Sequence, residues 1–170
     1  MHMNNLIIKL LGILFFALLW LSKINVVFAA QYQLSYLDKI EIVVPSSWNG
    51  TDDFYGDDDI CVYADTSPDS RYAIEAYMTS RSSFGMTKSG GAVLAFSVEY
   101  KEAAGSGGEH IKLGYHSFEP VSGAHLTSTS CAGGTELKGN LKIVVTEMDF
   151  AKAIEGTYSG TLIVVIGPPV

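Results

Sequence analysis

Apolar residues in this chain recur at every second position. Ile40, Ile42 and Val44 alternate with Lys39, Glu41 and Val43 until Pro45. Ile60, Val62 and Tyr63 surround Cys61 in a second run. Tyr72, Ile74, Ala76 and Met78 alternate with Ala73, Glu75 and Tyr77, and Leu94, Phe96, Val98 and Tyr100 with Ala95, Ser97 and Glu99. Ile111, Leu113 and Tyr115 form a shorter run, Leu141, Ile143 and Val145 another, and Thr161 to Ile166 is apolar throughout. Extended backbone points successive side chains to opposite faces, so this period predicts strands with one buried and one wet face. Seven such strands predict an all-β fold of two packed antiparallel sheets.

Turn residues fill the gaps: Ser46 to Gly56, Thr66 to Ser70, Gly90-Gly91, Gly105 to Gly108 and Gly133-Gly134. Short strands at such intervals read as a β-sandwich. One stretch departs from the pattern. In Glu147 to Glu155, Met148, Ala151 and Ile154 fall at helical spacing, which predicts a single helical turn between two strands.

The first thirty residues hold Lys9 and Lys23 and no acidic residue. The apolar run Leu10 to Leu21 has the length of a signal-peptide core and is short for a membrane span. Val27 and Ala29 then form a small-residue cleavage site, giving a signal peptide over 1–29 and one β-sandwich domain over 30–170. An uncleaved anchor over Leu6 to Phe28 is the alternative. The mature part keeps nine Lys and Arg against eighteen Asp and Glu, a net charge near −9. That charge argues against nucleic acid or an anionic membrane as partner, since both demand a basic footprint. About 140 residues suffice for one buried core.

Export also decides how the cysteines are read. Cys61 and Cys131 are the two in the chain, and outside the cytosol disulfides persist. Their bridge closes a loop of 70 residues, worth about 4 kcal/mol in the chain-entropy model. A metal site is the weaker reading, because zinc usually takes four ligands and no C-x-x-C is present.

The remaining polar groupings carry little chemistry. Asp52, Asp53, Asp57, Asp58 and Asp59 lack the alternating D-x-D-x-D-G spacing of a calcium loop, and read as a solvated acidic turn. His110, His116 and His125 lie in no H-E-x-x-H or H-x-H arrangement and read as surface histidines. Gly156-Thr157-Tyr158-Ser159-Gly160 has one residue too many before its serine for a nucleophile elbow, and it precedes a strand. Gly105-Ser106-Gly107-Gly108 is no phosphate cradle, and Asn49-Gly50-Thr51 is a glycosylation sequon of the kind that chance often produces. The sequence thus predicts no enzyme, no metal and no cofactor.

The end of the chain is more telling. After the turn Gly156 to Gly160 comes Leu162 to Ile166, apolar at both alternating positions, and then only Gly167, Pro168, Pro169 and Val170. Such a strand wants cover on both faces and neighbours on both edges. Either an earlier strand supplies them, or the edge accepts a strand from a partner by β-augmentation.

At these residues the chain resembles the subunits of chaperone–usher fimbriae, in the archaic branch that includes the spore-coat-U-like pilins and their tip subunits. The likeness rests on Cys61-Val62-Tyr63 ahead of the alternating strand Tyr72 to Met78, and on Cys131 before the strand Leu141 to Val145. It is most specific in Glu147 to Glu155 leading into Gly156-Thr157-Tyr158-Ser159-Gly160-Thr161-Leu162. The resemblance implies an incomplete immunoglobulin-like β-sandwich lacking its last strand. A periplasmic chaperone lends that strand, and an outer-membrane usher exchanges it for the N-terminal arm of a neighbouring subunit. The protein then passes through the periplasm to the cell surface. Leu162, Val164 and Ile166 would line the acceptor groove, with the carboxylate of Val170 near the chaperone's basic anchor.

The segment available to donate is Ala30 to Leu37, with Tyr32, Leu34 and Tyr36 in alternation. Its eight residues reach roughly 27 Å at about 3.4 Å per residue, short for a full groove. A tip or adhesive subunit, which receives a strand and gives none, therefore stands beside a shaft subunit. The alternative from another class is a self-sufficient secreted β-sandwich that binds a ligand or protein through its loops.

Overall fold

The computed structural model describes residues 31–44, 51–65 and 70–169. The segment expected to be a signal peptide, Asn49 and Gly50 of the sequon, and Val170 lie outside them. In chain order the strands are β1 (Tyr32–Ser35), β2 (Phe54–Ala64), β3 (Tyr72–Met78), β4 (Gly85–Lys88), β5 (Val93–Ala95) and β6 (Ser97–Lys101). Then come β7 (Ile111–Lys112), β8 (Glu119–Val121), a short turn α1 (Cys131–Gly134), β9 (Gly139–Val145), α2 (Glu147–Phe150), β10 (Tyr158–Ser159) and β11 (Leu162–Gly167). All strand pairs are antiparallel, in the orders β1-β2-β9-β6-β7, β11-β3-β8 and β10-β4-β5. The fold is an all-β, immunoglobulin-like arrangement of a five-stranded sheet facing two small ones.

The core lies between these layers. Ile60, Val62, Val98, Tyr100, Leu141 and Ile143 come from the five-stranded sheet, and Tyr72, Ile74, Ala76 and Val121 from β3 and β8. The predicted alternation survives in β6, where Val98 and Tyr100 are fully buried and Ser97, Glu99 and Lys101 are not. At Phe96 the predicted strand Leu94 to Tyr100 breaks in two. β5 pairs with β4 in a small sheet while β6 joins β9, so one alternating run turns a corner between layers.

Tyr72 and Tyr100 meet across the core with their hydroxyls hydrogen-bonded and their rings edge-on at 6.5 Å. Each hydroxyl has the other as partner, so two large phenols are buried without an orphaned polar group. Cys61 and Cys131 are fully buried and disulfide-bonded, with Cα atoms 5.7 Å apart. The bridge fixes the turn at α1 against the middle of β2.

The structure corrects the reading in three places. The acidic run is not a turn, because β2 begins at Phe54 and carries Asp57, Asp58 and Asp59 in its ladder with β9. Lys39 to Val44 keeps its alternation, with Ile40 and Ile42 half-buried and Glu41 and Val43 exposed, but the ladder falls earlier, at β1. In the helical turn Met148 and Ile154 are 67% and 62% exposed, so the apolar face expected there is not buried. Phe150 instead packs against Phe54, ring centroids 4.8 Å apart.

Two predictions follow the core. Cys61→Ser opens the 70-residue loop and should lower stability by about 4 kcal/mol in denaturant unfolding; an unchanged midpoint would mean the bridge contributes nothing. Burial pushes both phenols up, Tyr100 to about 12 from an ordinary 10.0. A raised folded pKa gives stability that is complete below pH 10 and is lost as pH climbs through about 12. Unfolding free energy should therefore hold level up to pH 10 and fall above it, less steeply in a Tyr72→Phe/Tyr100→Phe variant; equal alkaline slopes would contradict this.

Candidate functional site: an open flank between the sheets

The two flanks of the sandwich differ. On one, the carboxylate of Glu102, just after β6, accepts the Ser122 main-chain N–H at 2.5 Å and its hydroxyl at 3.0 Å, tying the ends of β6 and β8 together. On the other, β1 lies beside β11 without pairing with it. β11 pairs along one edge with β3, from Leu162 opposite Met78 to Gly167 opposite Ala73. Among the described residues no strand occupies its second edge. Half of its main-chain N–H and C=O groups therefore point away from β3.

Exposed edges are normally blunted by charge, by proline or by brevity. The edge strand β8 contains Pro120, and β7 is two residues long and carries Lys112. The six residues of β11, Leu-Ile-Val-Val-Ile-Gly, have neither charge nor proline, and every one is half-buried. Leu162, Val164 and Ile166 turn inward against the core.

Beside the start of β11 opens a cavity of about 620 Å³. Leu141, Ile143 and Val145 of β9 line it, with Met86, Leu94 and Phe96 from the β4–β5 side and Leu162 from β11. Phe54 and Phe150 also border it. They are set by α2, whose Thr146 hydroxyl accepts the Asp149 N–H at 3.2 Å while Asp53 accepts the Glu147 N–H at 2.8 Å. A cavity of this volume with a mostly apolar lining has the dimensions of a binding site. Its lining carries no constellation of catalytic side chains among the described residues.

The segment Leu37–Val44 forms a further wall. The chain leaves the five-stranded sheet after Ser35 through Tyr36, which has φ of 64° and rests its ring on Gly134. It then crosses the inner face of β2. At Gly56 a Cβ would stand 2.6 Å from the Glu41 carbonyl oxygen and 2.8 Å from Ile40 Cγ2, so only glycine leaves room for the crossing. Asp58 accepts the Asp38 main-chain N–H at 2.6 Å. Lys39 pairs with Glu41 and holds its carboxyl below the ordinary value.

Of the residues singled out in the sequence, Leu162 lines the cavity, and Val164 and Ile166 lie further along the same face of β11, paired with Ala76 and Ile74. Val170 is outside the described residues. Tyr32 and Leu34 pack on the core from β1, where they pair with Ala64 and Val62, and Tyr36 is 43% exposed. Sequence reasoning missed the β9, β4 and β5 contributions to the cavity. The Gly90-Gly91 turn between Met86 and Leu94 was the available signal for that hairpin.

The polar groups elsewhere are engaged in structure. Buried Asn140 donates to Asp57 at 2.9 Å and Asp59 at 2.8 Å and shares a hydrogen bond with His110 Nε2 at 2.9 Å. Asp59 also accepts the Gly105 N–H at 2.6 Å. His116 Nδ1 meets the nearly buried carboxylate of Glu75 at 2.6 Å and stacks on Tyr77, and His125 Nε2 bonds the Glu136 carbonyl at 2.9 Å. No cluster of three or more His, Cys, Asp or Glu able to hold a metal occurs among the described residues.

Asn140→Ala would leave Asp57 and Asp59 facing each other without their shared donor and should cost about 2 kcal/mol of stability. Thermal or denaturant unfolding reads this, and a loss near zero would mean water serves those carboxylates equally well.

No family of proteins and no curated protein matches the sequence. Among solved structures, one chain of a chaperone–tip adhesin complex described as vital for synergistic activation of CFA/I fimbriae biogenesis is similar in fold, with a TM-score of 0.52 and 14% sequence identity. The alignment covers 83% of this chain and 42% of that one, so the present chain spans less than half of the neighbour's length. At this identity the likeness concerns the fold: the protein shares its immunoglobulin-like β architecture with a component of a fimbrial assembly complex.

Proposed function

We propose that this protein is an exported structural or adhesive subunit of a chaperone–usher fimbria, assembled by donor-strand complementation. The observation that carries the reading is the chargeless outer edge of β11, which has no ladder partner among the described residues, beside the apolar cavity. An extended segment laid along Leu162–Gly167 would satisfy its outward main-chain groups, while alternate side chains fill the space over Ile143. In transit a periplasmic chaperone supplies that segment, with Val170 at its basic anchor, and at the outer-membrane usher a neighbouring subunit replaces it. The fold shared with a chain of a chaperone–tip adhesin complex supports this reading. The pairing of Tyr32–Ser35 with β2 in the same molecule favours a tip position, because the arm that would donate is already engaged.

Val164→Asp places a carboxylate on the inward face of β11, where burying an unpaired charge costs several kcal/mol. Co-expression with the chaperone should then yield no recoverable complex, whereas the wild-type chain is recovered with chaperone and degraded or aggregated without it. Recovery of soluble wild-type monomer in the chaperone's absence would instead favour a self-sufficient sandwich that binds through its loops.

A further inference from the structure

The loop that carries Cys131 also touches the end of the N-terminal arm. We infer that residues 128–134 form a clasp over β1, and that Cys61–Cys131 holds the arm in its own sheet through that clasp. The clasp stands whatever fills the edge of β11; its consequence for assembly rests on the proposed donor-strand complementation.

The ladder alone holds the arm weakly. β1 pairs over four residues, from Tyr32 opposite Ala64 to Ser35 opposite Cys61, at the margin of the five-stranded sheet. Short terminal strands fray, because few bonds need to open at once. Both ends of this one are fastened. At its start, Gln31 donates its N–H to the Asp65 carboxylate at 2.8 Å, and its carbonyl accepts the Asp65 N–H at 3.2 Å. At its finish, the last ladder pair sets Ser35 opposite the bridged Cys61. The Ser35 hydroxyl donates to the Thr129 carbonyl at 3.3 Å. The Tyr36 ring lies against Gly134, where a Cβ would stand 3.2 Å from Tyr36 Cε1. The end of β1 is thus held between β2 and a loop that the disulfide joins to β2.

The clasp has a conformation that needs outside support. Cys131, Ala132, Gly133 and Gly134 have φ of 45°, 53°, 72° and 86°, a left-handed turn whose first two residues carry a Cβ. Such residues occupy this region at a cost, and stay there where their surroundings fix them. Within the loop, the Ser128 and Ser130 hydroxyls accept the Ala132 and Gly133 N–H groups at 3.0 Å and 3.3 Å. The covalent hold on the sheet is Cys131, fully buried at the first position of the turn. Without it the turn can relax toward ordinary φ, and Gly134 then leaves Tyr36.

The physical consequence is an arm that cannot peel from β2 unless the loop moves first. In the proposed assembly, a subunit with its bridge intact receives a strand and keeps its own.

Hydrogen exchange tests the clasp in the chain from Ala30, purified with the chaperone proposed for it. The ladder amides of Tyr32–Ser35 should be protected in the wild type. In Cys61→Ala/Cys131→Ala they should exchange roughly tenfold faster while the β2–β9 ladder keeps its protection. Tyr36→Ala, which keeps the bridge and removes the ring from Gly134, should speed the same amides. Adding it to the cysteine pair should change little more, since both act through one contact. Should the cysteine variant fail to fold, Tyr36→Ala in the bridged chain decides. Unchanged β1 exchange in a folded variant, or fully additive effects, would overturn the clasp. Recovery of the wild type as soluble monomer without chaperone would overturn the assembly reading instead, and the same comparison on that monomer would still decide the clasp.

Discussion

Everything in this fold turns on how the main-chain hydrogen bonds of one strand are disposed of. Leu162–Gly167 is too apolar to face water and, among the described residues, pairs along one edge. A buried or half-buried backbone group left without a partner is expensive, so a strand of this composition at an edge is a demand as much as a structure. The rest of the molecule is arranged around that demand. The far flank is tied by Glu102 and Ser122, β2 is fixed to the α1 turn by Cys61–Cys131, and among the described residues the outer edge of β11 has no ladder partner.

Polar chemistry is spent on stabilising the frame. The carboxylates in and just before β2 each have a partner: Asp53 takes the first N–H of α2, Asp57 and Asp59 share Asn140, and Asp58 holds the crossing segment. On the opposite layer Glu75 is occupied by His116, and in the core two tyrosines satisfy each other. Among the described residues, these carboxylates thus find their partners within the chain. Among the described residues, what is left without a ladder partner is the outer edge of β11 beside apolar surface.

Much of this was legible in the sequence, and the failures have a common cause. Period-two alternation located β3, β6 and β9 and an unbroken apolar run located β11, although β6 keeps the expected one-sided burial while β3 and β9 are buried on both faces; the cysteine pair followed from the expectation of export. Where a strand changes layers the pattern misleads: Phe96 continues the alternation while the ladder switches sheets, and Tyr36 interrupts the ladder while the alternation resumes at Ile40. Asp57 to Asp59 looked like a loop because three consecutive carboxylates disfavour a strand locally. The cross-strand partner Asn140, 83 residues from Asp57 and 81 from Asp59, is invisible to local reasoning. The inward-facing residues of β11 could be named from sequence. The cavity beside them could not, since it is assembled from β4, β5, β9 and the crossing segment.

The most direct measurement is a crystal structure of the chain from Ala30 purified together with the periplasmic chaperone proposed for it. The account predicts a chaperone strand hydrogen-bonded along Leu162–Gly167, its alternate apolar side chains entering the space over Leu94, Phe96 and Ile143. A complex in which the chaperone docks elsewhere and the outer edge of β11 carries no foreign strand would contradict it.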